Sequence, residues 1–522
     1  MVEIRARTNT HQRLAEIDDA IRKRDLARAE HLVHSFNRDE PRNVEGWVAH
    51  ARVSQMVGDH LGMRAWLKTA LDLAPDYPLA LLMDAEALVH LGEVLAARHA
   101  LESMEGKAAN DGAWLARIAE IYTHCGQFEK AAGTARKAHR LDPDDAAIRY
   151  NLASSLIATG CIEEAEDHFD AIIRQTPHDY DAYYNRANLR KQTPENNHID
   201  EIRALLSTPL KHAMGTVQLH YALAKELEDV GRHEESFAAL KSGADARRKM
   251  LSYNVSSDIP AMAKIAENFG ESFFAREHCS SAQEGPIFIV GFPRSGTTLV
   301  DRILSAHSSV ESLGELTDFA VALTALCNGQ KGKSNLIDAA VDIDMRALGE
   351  VYVKRAKERS QGRPFFIDKT PANFLYIGLI AAALPQAKII HVNRDLNDNG
   401  YGMYKALFRM GYPFSYDLGD LASYMIAKEK LMAHWRTVLP GQVIDIHYED
   451  IVADQEGESR KLLQALGLDW EAACLEFHKN KSPTATASAA QVRRPIYKSA
   501  VNRWKLYEAQ LKPLIDALGA AT

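Results

Sequence analysis

Gly285-Pro-Ile-Phe-Ile-Val-Gly-Phe-Pro-Arg-Ser-Gly-Thr-Thr-Leu299 decides how the second half of this chain folds. Ile287–Val290 is a short unbroken apolar run, the pattern of a parallel strand buried on both faces. A turn rich in Gly, Pro and Ser follows. A helix is then expected to open at Thr297–Thr298, with apolar residues at Leu299, Ile303 and Leu304. Strand, small-residue loop and helix N-terminus together make an anion cradle. Backbone N–H groups converge there, and the helix dipole favours negative charge. The GxxxxGK[ST] pattern of ATP- and GTP-hydrolysing proteins needs a lysine that is absent; Arg294 brings the only charge within the loop. A nucleotide kinase or NTPase is therefore the weaker reading of the cradle.

Open α/β sheets bind ligands beyond the carboxyl ends of their strands, and three further apolar runs end in polar residues. Pro364-Phe-Phe-Ile-Asp368 delivers Lys369, Lys388-Ile-Ile-His-Val392 delivers Arg394 and Asp395, and Val443-Ile-Asp-Ile-His447 ends in Tyr448-Glu-Asp450. Two of these have a plain alternative: Lys369 as a solvated loop lysine, Asp450 as a cap on the next helix.

Gly-Phe-Pro-Arg-Ser-Gly-Thr-Thr-Leu resembles the 5′-phosphosulfate loop of sulfotransferases, above all the tyrosylprotein sulfotransferase branch, and the likeness spans roughly residues 284–510. It implies an α/β, P-loop-like sulfotransferase domain with a parallel sheet that uses PAPS (3′-phosphoadenylyl sulfate) as co-substrate and no metal. By this resemblance Pro293, Arg294, Ser295, Gly296, Thr297 and Thr298 hold the 5′-phosphosulfate. Lys369, in Asp-Lys-Thr-Pro, meets the oxygen bridging sulfonate and phosphate, where an ammonium stabilises the departing phosphate. Arg394, in Asn-Arg-Asp, holds the 3′-phosphate, to which a planar guanidinium is suited. Tyr448 lies near the adenine. In Ala490-Gln-Val-Arg-Arg-Pro-Ile-Tyr497, which is similar to the loop closing over the nucleotide, Arg494 is the preferred phosphate contact and Arg493 the alternative. Two residues depart from the family pattern: Gly402 stands where a serine hydroxyl is usual, and Leu396 where proline is usual.

Sulfonyl transfer requires an acceptor hydroxyl in line with sulfur and a group to take its proton. Glu315, in Leu-Gly-Glu-Leu and 21 residues after Arg294, resembles the family base in spacing and context. His307 is the rival, although it sits in the Ala-His-Ser turn closing the preceding helix. Glu315, Lys369 and Arg294 are thus the expected catalytic set.

The first half reads differently. Gly58, Gly92, Gly126 and Gly160 recur every 34 residues; Pro41, Pro75, Pro143 and Pro177 keep the same period, as do Ala29, Ala97, Ala131 and Ala165. Glycine suits the turn after a first helix, alanine a close helix crossing, and proline the end of the second helix. Apolar residues between these markers follow helical spacing, as from Trp114 to Tyr122. Period and markers resemble the tetratricopeptide repeat, which implies an all-α solenoid. Such arrays bind peptides or partner proteins, or serve as scaffold and self-association elements; both readings, a homo-oligomer included, stay open. Regularity weakens at the end, where Pro194 replaces a glycine and Gly231 comes three residues late.

The expected organisation is a multidomain chain: repeat array over 10–251, a connection over 252–284 with a helix near Ala261–Phe274, and a sulfotransferase domain over 285–522. A length of 522 residues suits several cores, and a net charge of −8 speaks against a nucleic-acid surface. Cys125, Cys161, Cys279, Cys327 and Cys474 form no CxxC pair, which points away from disulfides and zinc and toward a reducing compartment. No stretch reads as a signal peptide or membrane span, so a cytoplasmic enzyme is expected. The acceptor is open between a peptide tyrosine held by the array and a carbohydrate, lipid or small-molecule alcohol. The alternative of another class is a repeat scaffold with a catalytically weakened nucleotide-binding domain.

Overall fold

A computed structural model describes residues 2–276, 278–330, 332–408, 411–480, 492, 494–496 and 500–520, with side chains from residue 10 onward. The chain forms two compact units, Met1–Asn151 and Leu152–Thr522, so the division falls inside the helical array.

In the first unit, helices Val44–Met56 and His60–Leu73, Pro78–His90 and Val94–Lys107, and Gly112–His124 and Phe128–Leu141 form successive pairs. Gly58, Gly92 and Gly126 stand between the members of each pair at φ of 73°, 78° and 71°, left-handed values that penalise any residue with a Cβ. Asp59, directly after Gly58, caps the second helix by accepting from the Gly62 N–H at 2.9 Å. Ala97 and Ala131 are fully buried, in one core with Leu101, Leu115, Ile118 and Tyr122. The periodic alanines thus mark places where the array has no room for a longer side chain.

The second unit opens with more of the same helices: Ile162–Gln175, Tyr180–Leu189, Ile199–Leu206, Ala213–Asp229 and His233–Lys249. Gly160 and the out-of-period Gly231 have φ of 85° and 80° and make the same turn. Beside Pro194 the chain instead forms a small Thr193–Asn196 bridge. The single helix expected at Ala261–Phe274 is two, Ile259–Asn268 and Glu271–Phe274. Phe269 and Phe273, on either side of the break at Gly270, meet edge to face at 4.9 Å within the core.

Five parallel strands follow: β1 Pro286–Gly291, β2 Val310–Ser312, β3 Phe365–Asp368, β4 Lys388–Asn393 and β5 Val443–His447. Their order is β2-β3-β1-β4-β5. Every residue of β1 is buried, and its side chains alternate between two cores. Phe288 and Val290 join Phe319, Tyr352 and Trp435; Ile287 and Ile289 join Val300, Ile303, Ile390 and Ile446. This double burial is the reason the β1 sequence is continuously apolar. The connections from β1 run to one side through β2 and β3, then return to β4 on the other. A crevice therefore opens at the carboxyl end of β1, where ligands bind in sheets of this kind. Among the described residues no helix is long and apolar enough to cross a membrane.

Replacing Ala97 with Leu should lower the unfolding free energy by about 1–3 kcal/mol, the usual range for overpacking. Urea denaturation followed by circular dichroism reads this as a lower midpoint; an unchanged midpoint would remove close packing as the reason for the periodic alanine.

Candidate active site

After β1 the backbone turns through Gly291, Arg294 and Gly296 at φ of 155°, 66° and 107°. A non-glycine residue held left-handed, as Arg294 is, costs about 1–2 kcal/mol and is the kind of strain that gathers at functional loops. Two close approaches accommodate this path. A Cβ at Gly296 would come 2.6 Å from the Tyr448 ring, and one at Gly402 would come 3.3 Å from Arg294 Cβ. The serine usual at position 402 would thus press on Arg294 here, which gives the departure a steric reason. Gly296 leads into the helix Thr297–Ser305 without a side-chain cap, and the positive end of a helix dipole favours an anion there. The Ser295 hydroxyl is buried with no hydrogen-bond partner among the described residues. An orphaned donor beside an uncapped helix start fits a bound phosphate oxygen.

Arg394 follows β4 and reaches back over the loop. Its Nη1 donates to the Arg294 carbonyl at 2.8 Å and its Nη2 to the Ala500 carbonyl at 2.6 Å, while the guanidinium lies 4.7 Å from the Tyr448 ring centroid. Its buried Nε has no partner among the described residues. Asp395 caps the helix Leu396–Tyr404 through the Asp398 N–H at 2.9 Å, which puts Leu396 at the first helical position, where proline would also fit. From that helix Asn399 donates to the Pro293 carbonyl at 2.9 Å and Asp398 accepts from the Trp504 N–H at 3.0 Å. One short helix thus ties the loop to the C-terminal segment.

The resulting pocket is lined by Arg294, Thr298, Arg394, Tyr448 and the exposed Arg494, and also by Lys405 and Arg503. The last two carry no motif, and sequence reasoning missed them; only the fold brings them to the pocket. Arg493 and most of the 490–497 segment lie outside the described residues. Asp450 is exposed within the short helix Tyr448–Ala453, and the cap on the following helix is Asp454, whose carboxylate accepts from the Gly457 N–H at 2.9 Å.

Glu315 and Lys369 meet on the other side of β1. Lys369 is 2% exposed and its ammonium donates to the half-exposed Glu315 carboxylate. Its own N–H donates to the Gly314 carbonyl at 2.8 Å, so the two strand-end loops are stitched together. Lys369 is therefore not a solvated loop lysine. Asp301, buried one turn into the helix after the loop, feels both charges; burial raises its carboxyl above the ordinary range against a Ser312 hydrogen bond and Lys369. Beneath the pair, Asp368 accepts from Tyr352, Asn373 and Thr370, and burial pushes it up to about 7. His307 is buried elsewhere, with Nε2 3.0 Å from the Asp469 carbonyl and Nδ1 accepting from the Ser309 N–H. It holds a turn and does not line the pocket.

A buried charge relay supports β4. Lys428 donates to His391 Nε2 at 2.6 Å, and His391 Nδ1 donates to Asp445 at 2.7 Å, which also takes two bonds from Arg436. The neutral Nδ1–H form satisfies both contacts. Burial, with Lys428 alongside, pushes the imidazole down to about 4. Lys428 also lies 4.9 Å from the ring centroid of Phe292, in the loop after β1.

Residues 286–472 match the model of a sulfotransferase family, and residues 122–189 that of the tetratricopeptide repeat. An uncharacterized protein of Aquifex aeolicus (strain VF5) is 29% identical over 403 residues, 74% of this chain and 52% of that protein; the chain spans about half that relative's length. A putative protein-tyrosine sulfotransferase of Caenorhabditis briggsae is 25% identical over 42% of this chain and 80% of its own. The omega-hydroxy-beta-dihydromenaquinone-9 sulfotransferase of Mycobacterium tuberculosis is 31% identical over 24% of this chain and 32% of its own.

His391 predicts a pH dependence. Its folded pKa lies below the ordinary histidine value, so the unfolded chain takes the proton first; the stabilisation is complete above pH ~6.5 and falls as pH drops toward 4. The loss should reach up to about 3 kcal/mol. Denaturation midpoints measured across pH 4–7 should show this slope in the native protein and a flatter one in H391Q. Equal slopes would mean His391 is not buried neutral.

Proposed function

We propose that this chain, whose residues 286–472 form a sulfotransferase-family domain behind tetratricopeptide repeats, transfers the sulfonate group of PAPS to an acceptor hydroxyl, with a peptide tyrosine as the acceptor. One observation carries the reading: the uncapped Arg294–Thr298 loop lies between a cationic pocket on the β4 side and the Lys369–Glu315 pair on the β3 side.

A nucleotide bearing two phosphate groups fits that division. Arg394, Lys405 and Arg503 would take the 3′-phosphate, the loop N–H groups and Ser295 the 5′-phosphate, and Tyr448 the adenosine side. PAPS supplies an activated sulfonate: its sulfur–oxygen bond to the 5′-phosphate breaks as the acceptor oxygen bonds to sulfur. Glu315 accepts the proton of the acceptor hydroxyl. Its exposure leaves it open to an incoming substrate, whereas Lys369 is buried and fixed. Lys369 then holds its charge against the departing phosphate oxygen, and Arg294 holds its charge beside the sulfonate. A fixed ammonium stabilises that developing charge without reorganising.

Likeness to a protein-tyrosine sulfotransferase over 42% of the chain, together with a repeat array of the peptide-binding kind, favours tyrosine. A lipid alcohol is the second reading, favoured by the likeness to the mycobacterial menaquinone sulfotransferase. The same carboxylate and donor pocket serve either hydroxyl.

Glu315→Gln should lower kcat by at least about 100-fold, the lower range for a lost general base, while binding of adenosine 3′,5′-bisphosphate changes less than twofold by calorimetry. Turnover near the native rate in that variant would remove Glu315 from the reaction. Transfer of labelled sulfonate from PAPS into tyrosine peptides or into extracted lipids then separates the two acceptors.

A further inference from the structure

We infer that Glu228, on a helix of the repeat array, is a positioning residue for the donor pocket: it holds Lys405 and Arg503 where the 3′-phosphate is received. This deepens the donor reading above and rests on it.

Glu228 lies near the end of the helix Ala213–Asp229, within the second compact unit, and is 7% exposed. Its Oε2 accepts from Lys405 Nζ at 2.9 Å; its Oε1 accepts from the Tyr401 hydroxyl at 2.7 Å and from Arg503 Nε at 3.0 Å. The Tyr507 hydroxyl stands 3.4 Å from the same oxygen. Burial alone would raise this carboxyl, yet Lys405 and Arg503 outweigh it and bring it down to about 2. A buried carboxylate is retained only when paired and hydrogen-bonded in this way.

Its two cationic partners matter beyond that pairing, because both line the pocket with Arg294 and Arg394. With Arg494 five cations line this pocket, and they repel each other in the absence of an anion. Burial, with Arg503 and Arg294 adding to it, lowers the Lys405 ammonium, while Glu228 works against the loss. A single carboxylate that grips both Lys405 and Arg503 offsets that repulsion and fixes their direction. Arg503 spends only Nε on Glu228; its terminal N–H groups keep the planar fork that suits phosphate.

The grip is rigid because its helix is docked independently of it. The Tyr221 hydroxyl donates to the Tyr404 carbonyl at 3.2 Å, and Phe237, on the next helix, stacks on Tyr404 with centroids 5.9 Å apart. Arg248 of that next helix pairs with Asp420 at 2.9 Å. Lys405 stands three residues beyond Gly402, where no hydroxyl is present. Charge held from the array thus stands near the place of the missing group.

The test compares calorimetric affinities for adenosine 3′,5′-bisphosphate and adenosine 5′-monophosphate in the full-length protein and in E228Q, with folding checked by circular dichroism. A positioning role predicts that E228Q lowers the preference for the bisphosphate by about tenfold, with monophosphate affinity within twofold of native. It also predicts that E228Q changes the preference no further once K405M and R503M are present. A merely structural role would lower the melting temperature or weaken both nucleotides alike, leaving the ratio at its native value, and that outcome overturns the inference. Where E228Q does not fold, E228D decides in its place: a lowered ratio supports the role and the native ratio refutes it. If the native protein shows no preference for the bisphosphate, the donor reading fails first and this inference with it.

Discussion

Between Val290 and Thr297 the chain passes from a strand buried on both faces into a helix whose first N–H groups point back into the crevice. Much of the second unit is arranged around that reversal. It needs a left-handed Arg294, a glycine at 296 pressed by Tyr448, and a glycine at 402 that leaves room for Arg294. Asn399, Arg394 and Tyr448, from β4, β5 and the segments that follow them, all bear on it. The strain is small beside the burial of β1 and its neighbours, so the sheet can impose a turn that an isolated peptide would not hold.

The charges around the crevice obey a common rule. Four cations there have carboxylate or carbonyl partners: the buried Lys369 with Glu315 and Lys428 with Glu429, and the half-buried Arg394 with two main-chain carbonyls and Lys405 with Glu228. Leaving Lys369 or Lys428 unpaired in a low dielectric would cost several kcal/mol. The partners are drawn from distant parts of the sequence, and pairing therefore links segments as well as neutralising them. The Glu228 cluster joins a repeat helix, the helix after β4 and the C-terminal segment at one point.

This joins the two halves of the second unit's chemistry. Repeat helices usually stack only on their neighbours, but Ala213–Asp229 and His233–Lys249 also face the α/β core through Tyr221, Glu228 and Phe237. The end of the array is thereby part of the structure around the pocket.

The elements that repeat or run on one period were legible in the amino-acid sequence alone: the helical array with its 34-residue period and four of the five strands, including β1 with its loop and the helix after it. Local rules determine these, because glycine at positive φ, alanine at a close crossing and a continuous apolar strand each need only their neighbours. The likeness of residues 286–472 to a sulfotransferase family was readable for the same reason, since the loop after β1 is a contiguous motif. The tertiary structure alone decided the pairing of Lys369 with Glu315 and the arrival of Lys405 and Arg503 at the pocket. None of these has a local signature. A lone lysine, arginine or glutamate reads as a solvated surface residue until the fold removes its water and leaves another charge as its best partner.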